Sequence, residues 1–474
     1  MQHKQPIIVG LDIGTTKIAA IAGRKNEFGK LEILGFGRAN SNGVQHGMVL
    51  NIDQTIKAIQ TALERCIESN PDLESEIHEV YVGIAGQHIK SLQTRGDIVR
   101  QNIEDEISQE EIDRLVADQY RTYIPLGDQI IDVIPQQFTV DNHPNIPNPI
   151  GYSGVKVGAN FHIITGDKNA IRNINRSVEK SGLKTKDLVL QPLASAAAVM
   201  SEQDLEAGVA IVDIGGGTTD LAVFSEGVLK YTAVIPFGGE NITNDIKLGL
   251  GVLRTQAEAM KVQFGSALSD QTKANTFITI PGLRGMAPKE IAVKNLANII
   301  QARMSEIMDF VTYHLKQVGL DSRSLNGGII LTGGGSQLKH LLQLTEFLTG
   351  LNARIGYPNE HLSGDHLTEL EKPMYSTCIG LILKGYNDYE NKYKSTVAEE
   401  VPEKTWKKVA HKADVQIDIE EPVMETPFAK TEEPVTTPPD RKKTLKAFLD
   451  SIKTDIINLF QEEDDKEFEE LKNQ

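Results

Sequence analysis

Two cysteines in 474 residues, Cys66 and Cys378, with no CxxC pair, exclude a disulfide scaffold. No stretch approaches the roughly 18 to 20 uncharged residues that a transmembrane helix needs, so no span is expected. An excess of basic charge is missing too. Lys and Arg number 49 against 65 Asp and Glu, a formal −16, which argues against a general nucleic-acid binder because nothing broad would neutralise phosphates. No GxxxxGK[ST] loop, GxGxxG at a βα turn, HExxH or spaced Cys/His set occurs, which removes the P-loop, dinucleotide and zinc readings. The N-terminus MQHKQPIIVG has no charged-then-apolar signal region before its first strand-like run, so a reducing cytoplasm is the expected compartment. Glycine is absent from one region only: all 40 precede Tyr386.

Before that point the pattern is α/β. Strand-like runs PIIVGLDI, KIAAIAG, EVYVGIAG, FHIITG, GVAIVDI, DLAVFS and GGIILTGG alternate with helix-like stretches over 52–68, 109–120, 169–181 and 287–316. Ser108 with Glu111 makes a capping box that opens the second of these. From about residue 391 to 440 the chain carries six prolines, many acids and no apolar period, the composition of a disordered linker. A helix is expected after it. RKKTLKAFLDSIKTDIINLF sets Leu445, Phe448, Leu449, Ile452, Ile456, Leu459 and Phe460 three and four apart, one apolar stripe.

The most informative comparison is of the chain with itself. IIVGLDIGTTKIAAIAG around Asp12 recurs as VAIVDIGGGTTDLAVFSEG around Asp213: a buried strand ending in Asp, a Gly/Thr turn, then a second β-branched strand. Each hairpin tip can approach a polyphosphate with backbone N–H groups, and Thr15, Thr16 and Thr218 add hydroxyl donors beside Gly216. Asp12 and Asp213 are placed to hold Mg²⁺ through its water shell. Two facing clamps suggest a nucleotide between two lobes. A third Gly-rich turn, in GGIILTGGGSQLKHLLQL, puts Gly333, Gly334 and Gly335 at the opening of a helix, where the backbone can meet a phosphate or a flat base.

At these residues the sequence resembles the actin, heat-shock-chaperone and sugar-kinase superfamily, whose two-lobed fold holds ATP·Mg. Asp12-Ile-Gly14-Thr15-Thr16-Lys17 is similar to the first phosphate motif, Asp213-Ile-Gly215-Gly216-Gly217-Thr218-Thr219-Asp220 to the second, and Thr332-Gly333-Gly334-Gly335-Ser336 to the adenosine motif. Glu258 and Lys261 match the pair that contacts ribose and base, and the resemblance adds Gly239, Glu240 and Asn241 to the nucleotide set. VYVGIAGQHIKS, VIPQQFTVD, IPNPIGYSGVKV and LVLQPLASAAAVM further resemble the FtsA family of bacterial division proteins, over roughly residues 5–385 and again at the tail helix.

That resemblance implies subdomain 1A over 1–83, 163–198 and 351–388, with 1C inserted at 84–162. It implies 2A over 199–225 and 305–350, 2B over 226–304, a linker over 389–440, the helix over 441–461 and an acidic tail to 474. The implied protein is actin-like, polymerises, binds the C-terminal peptide of the tubulin-like FtsZ through 2B, and meets further division proteins. It would tether FtsZ to the cytoplasmic face of the cell membrane at the septum.

Hydrolysis needs a group that orients or deprotonates water. Chaperones place Glu where this chain has Gln191; a carboxamide can orient water but cannot take its proton. ATP is therefore expected to act mainly as a structural ligand, with slow turnover at most. The alternatives are an ATPase or small-molecule kinase on the same fold, or a pilus-platform ATP-binding protein, which would lack the terminal helix. For that helix, a partner-binding role competes with a membrane role. Arg441, Lys442, Lys443, Lys446 and Lys453 against Asp450 and Asp455 favour an interfacial helix on anionic lipid. The segment QEEDDKEFEELKNQ that follows, with seven acids against two lysines, should weaken a single anchor.

Overall fold

The computed structural model describes residues 5–101, 103–273, 275–282, 287–319, 324–364 and 368–400, with side chains as far as residue 391. The stripe Leu445 to Phe460, with Lys442, Lys443 and Lys446, and the linker beyond residue 400 lie outside the described residues.

Two sheets carry the chain, and they share one plan. In each, a buried strand ending in Asp-Ile turns through a Gly/Thr tip into a second buried strand: Ile8–Ile13 into Lys17–Lys25, and Val209–Ile214 into Thr219–Ser225. Near-continuous Val, Ile and Ala runs are what strands covered on both faces require. The first sheet has the order 184–190, 79–84, 8–13, 17–25, 31–40, 362–363, and the second 353–355, 329–332, 209–214, 219–225, 228–235. In both, the hairpin is antiparallel and the strand flanking the Asp-bearing strand on its other side is parallel to it. The register is the same in both, each Asp facing the residue seven positions on, but the partner differs: Asp12 pairs with Ala19, whereas Asp213 pairs with Asp220.

Helix Ile52–Glu68 closes the outer face of the first sheet with Ile59 and Leu63, and helix Val293–Val318 that of the second with Ile300, Met304 and Met308. Between the sheets lie helices Gln191–Val199 and Ser376–Glu400, whose small apolar residues join Ala19 and Ile21 of one sheet to Val209 and Ile211 of the other. Both helices begin at the cleft, which is why their first turns matter below. No helix among the described residues is long and apolar enough to cross a membrane.

The inserted region is a four-stranded antiparallel sheet, in the order 90–99, 156–167, 128–140, 143–146, with helix Gln109–Gln119 against it and a core of its own around Phe138, Phe161 and Leu115. Ser108 and Glu111 form the expected capping box. Buried Arg100 ties the insert together: its guanidinium meets Glu111 at 2.9 Å and the carbonyls of Asp105, Glu106 and Gly154.

The insert also rests on the far lobe. Gln93 and Gln136 donate to the carbonyls of Lys230 and Leu229, Gln137 donates to Glu226, and His162 Nε2 lies 3.1 Å from Thr232 Oγ1. These contacts cover strand Val228–Ile235, the edge of the second sheet, which would otherwise offer unpaired backbone groups. His162 is buried, and burial pushes its imidazole down from 6.5 to about 4. The unfolded chain takes up this proton first as pH falls, so stability present above about 6.5 is lost on the way to about 4. Between about pH 7 and pH 5 this loss is roughly 2 kcal/mol. Urea unfolding of the His162→Gln variant should therefore show a shallower loss over that interval; an identical loss would mean that the proton is taken up elsewhere.

The structure moves several boundaries. Strand Lys156–Asp167 belongs entirely to the inserted sheet, so the insert does not end at residue 162. Strand Val228–Ile235 pairs with Thr219–Ser225 and belongs to the second sheet, not to 2B, and Ala353–Ile355 pairs with Ile329–Thr332, so the second lobe extends past residue 350. Helix Val293–Val318 runs unbroken through the 304/305 division. The expected helix over 287–316 starts late, because Lys289–Ala292 is a strand paired with Phe277–Ile280. Helix Ser376–Glu400 overruns the linker start at 389: residues 386–400 hold neither Gly nor Pro to break it.

Candidate nucleotide site

The two hairpin tips meet at a cleft of about 420 Å³ between the sheets. Gly14 N–H bonds to Lys17 O at 3.0 Å and Gly215 N–H to Thr218 O at 2.9 Å, so both tips are closed by the same turn. Among the described residues no acceptor takes the N–H groups of Thr15, Thr16, Gly216 or Gly217. Four free donors at facing tips make an anion nest. A Cβ built on Gly216 would lie 2.4 Å from Thr16 Cγ2, and one on Gly217 2.4 Å from Thr15 Oγ1, so only glycine lets the tips approach this closely.

Asp12 and Asp213 stand at the cleft wall, both buried. Asp12 Oδ2 pairs with Lys17 Nζ at 2.9 Å, and its Oδ1 accepts from Gln191 Nε2 at 3.0 Å. Burial alone would lower the Lys17 ammonium, but Asp12 outweighs it and holds the group above its ordinary value. Asp213 Oδ2 accepts from Ser195 Oγ at 2.5 Å and Thr377 Oγ1 at 3.2 Å. Gln191 and Ser195, four apart on helix Gln191–Val199, thus serve one carboxylate of each lobe. Burial raises Asp213, the like charge of Asp12 adds to this, and the Ser195 hydrogen bond opposes it. Burial beside Asp213 pushes Asp220 up to about 8; its Oδ2 accepts from Thr218 Oγ1, and its buried Oδ1 has no partner among the described residues.

These residues fit a magnesium ion held through water. Two buried carboxylates face a single ammonium, which leaves negative charge uncompensated, and the orphan Asp220 oxygen offers a further acceptor.

The rest of the expected set divides. Thr15, Thr16, Lys17, Gly14, Gly215, Gly216, Gly217, Thr218, Gln191, Glu258, Gly333 and Gly334 line the cleft. Gly333 has φ +80°, and a Cβ there would lie 2.2 Å from Asp213 Oδ1. It opens a short 3₁₀ turn, Gly334–Gln337, rather than an α-helix; the α-helix starts only at Leu341. Flat glycine backbone beside Met374 and Val262 therefore suits a planar base better than a phosphate.

The other expected residues stand behind the wall. Lys261 turns to Gly239 O and Thr243 Oγ1 and pairs with Glu258 at 2.8 Å. Gly239 and Glu240 donate backbone N–H to Gly215 O and Gly216 O, and Asn241 caps the same helix start. Thr219 donates to Phe237 O, Ser336 to Gly333 O, and Gly335 packs on Ile214. Sequence reading missed Arg38, Asn40, Gly47, Met374 and Thr377, which also line the cleft, and Ser195 behind it. None belongs to a Gly-rich motif. Asp220, inside the second motif, was visible, and the broken symmetry with Ala19 was its signal.

Two like sheets, paired by their Asp-bearing hairpins and separated by two central helices, define the actin-like ATPase fold. A solved structure described as the PilM-PilN type IV pilus biogenesis complex shares it, with a TM-score of 0.59 at 15% identity, covering 80% of this chain and 98% of that one. Family models described as "Cell division protein FtsA" and "SHS2 domain inserted in FTSA" match residues 210–380 and 86–165. Cell division protein FtsA of Neisseria meningitidis serogroup B is 38% identical over 81% of this chain and 91% of its own length. That of Pseudomonas aeruginosa is 36% identical over 80% and 89%. The chain belongs to the FtsA family of cell division proteins.

Proposed function

We propose that this chain binds ATP·Mg²⁺ in the cleft, polymerises, and tethers FtsZ to the cytoplasmic membrane while the division machinery assembles. The observation that carries the nucleotide part is the pair of facing tips with free N–H donors beside Asp12 and Asp213. ATP acts chiefly as a structural ligand. Gln191 spends its amide on Asp12 and supplies no base, which supports slow turnover at most and stands against the kinase alternative.

The FtsZ C-terminal peptide docks on the region between helix Gly239–Leu250 and residue 304. Leu248, Leu253 and Phe277 are exposed there, which supports a peptide groove. Residues 441–460 carry the membrane contact, so the protein works as a peripheral protein at the septum. Charge reversal of the surface pair Lys247→Glu, Lys294→Glu should abolish pull-down of the peptide while ATP still binds. Loss of peptide binding on removing the inserted region alone, from a still-folded protein, would place the contact on the wrong subdomain.

A further inference from the structure

Beside the nucleotide cleft, on the outer side of the first lobe, strand Leu31–Asn40 and helix Ile52–Glu68 enclose a second pocket of about 440 Å³. Its polar wall is Arg38, Asn40, Asn42, Gln54, Lys57, Arg65 and the hydroxyl of Thr61, and no described Asp or Glu lines it. In a chain with 65 acids against 49 bases, a pocket of three cations and three amides is a local inversion of charge. Among the described residues the Lys57 ammonium and the side-chain amides of Asn40, Asn42 and Gln54 have no hydrogen-bond partner. Arg65 donates to Arg38 O, and Arg38 Nη1 is shared between Tyr375 Oη and Glu369, which orients both guanidinium groups without neutralising Arg65.

Arg38 and Asn40 also line the nucleotide cleft, and Ser41 N–H between the two amides donates to Thr16 O at 3.1 Å. The second pocket is thus joined through the backbone to the first phosphate tip.

We propose that this pocket is a separate anion site that takes a phosphate group, bound by Lys57, Arg65 and the neighbouring amides while nucleotide occupies the cleft. Planar guanidinium donors with an ammonium and amide N–H groups suit the many acceptor oxygens of a phosphate. The source is either free phosphate or the head group of an anionic lipid.

Equilibrium dialysis of the full chain, saturated with ATP·Mg²⁺, against radiolabelled inorganic phosphate tests the site. Phosphate should be retained, and the Lys57→Glu, Arg65→Glu variant should lose at least about tenfold in phosphate affinity with nucleotide affinity changed less than about twofold. Gln54→Glu, which adds an acid without removing a cation, should shift phosphate affinity the same way. A second arm uses the full chain carrying Phe448→Glu and Ile452→Glu with phosphatidylglycerol vesicles. Flotation that Lys57→Glu, Arg65→Glu abolishes assigns the group to lipid; phosphate retention without flotation assigns it to free phosphate. Neither retention nor flotation, or binding that the pocket variants leave unchanged, overturns the proposal.

Discussion

Asp213→Ala should weaken ATP binding in Mg²⁺ at least tenfold, about 1.4 kcal/mol or more, in isothermal titration. The substitution removes one of the two carboxylates at the cleft wall and strands two donors, Ser195 Oγ and Thr377 Oγ1, that now converge on it. It also leaves Asp220 without the like charge that helps to keep it protonated. Ser195→Ala removes one donor to Asp213 and no charge, so its effect should be the smaller of the two. Unchanged affinity in Asp213→Ala would remove Asp213 from the metal shell.

The second large effect is expected at the membrane. In a chain whose second pocket is already disabled by Lys57→Glu and Arg65→Glu, Phe448→Glu with Ile452→Glu should abolish flotation with anionic vesicles. Burial of a large apolar side chain contributes roughly 1.5 to 3 kcal/mol, so Phe448, Leu449, Ile452 and Phe460 together supply several kcal/mol gross, against the cost of ordering the helix and the repulsion of the acidic end. A single copy should then bind reversibly and a polymer firmly, because many copies engage at once. A chain ending at Gln461 should float as well or better, since the acids are gone. Equal flotation of the double variant would hand this helix to a protein partner.

Much of the fold was legible because its signals are local. The strands around Asp12 and Asp213 are short, apolar on both faces and punctuated by glycine, and each appears where its pattern puts it. Helix Ile52–Glu68 likewise follows its apolar period. What was not legible depends on distant pairing. Strand Ala353–Ile355 declares its lobe only through Ile329–Thr332, and Lys289–Ala292 becomes a strand only through Phe277–Ile280. The site follows the same division. Its glycine tips and aspartates are written in motifs, whereas Arg38 reaches the cleft from strand 31–40, Met374 from the short 3₁₀ turn Pro373–Tyr375 and Thr377 from the start of helix Ser376–Glu400. Ser195 lay in plain view on QPLASAAA, and its use became visible only when Asp213 was found 2.5 Å away.

A chain that joins FtsZ to lipid must hold both at once. Flotation of a labelled FtsZ C-terminal peptide with anionic vesicles, in ATP·Mg²⁺, measures this directly. The peptide should rise with the vesicles only when the full chain is present, and should stay below when the chain carries Phe448→Glu and Ile452→Glu together with Lys57→Glu and Arg65→Glu. A peptide that remains in solution while the unmutated chain floats, or that rises without it, would contradict the account.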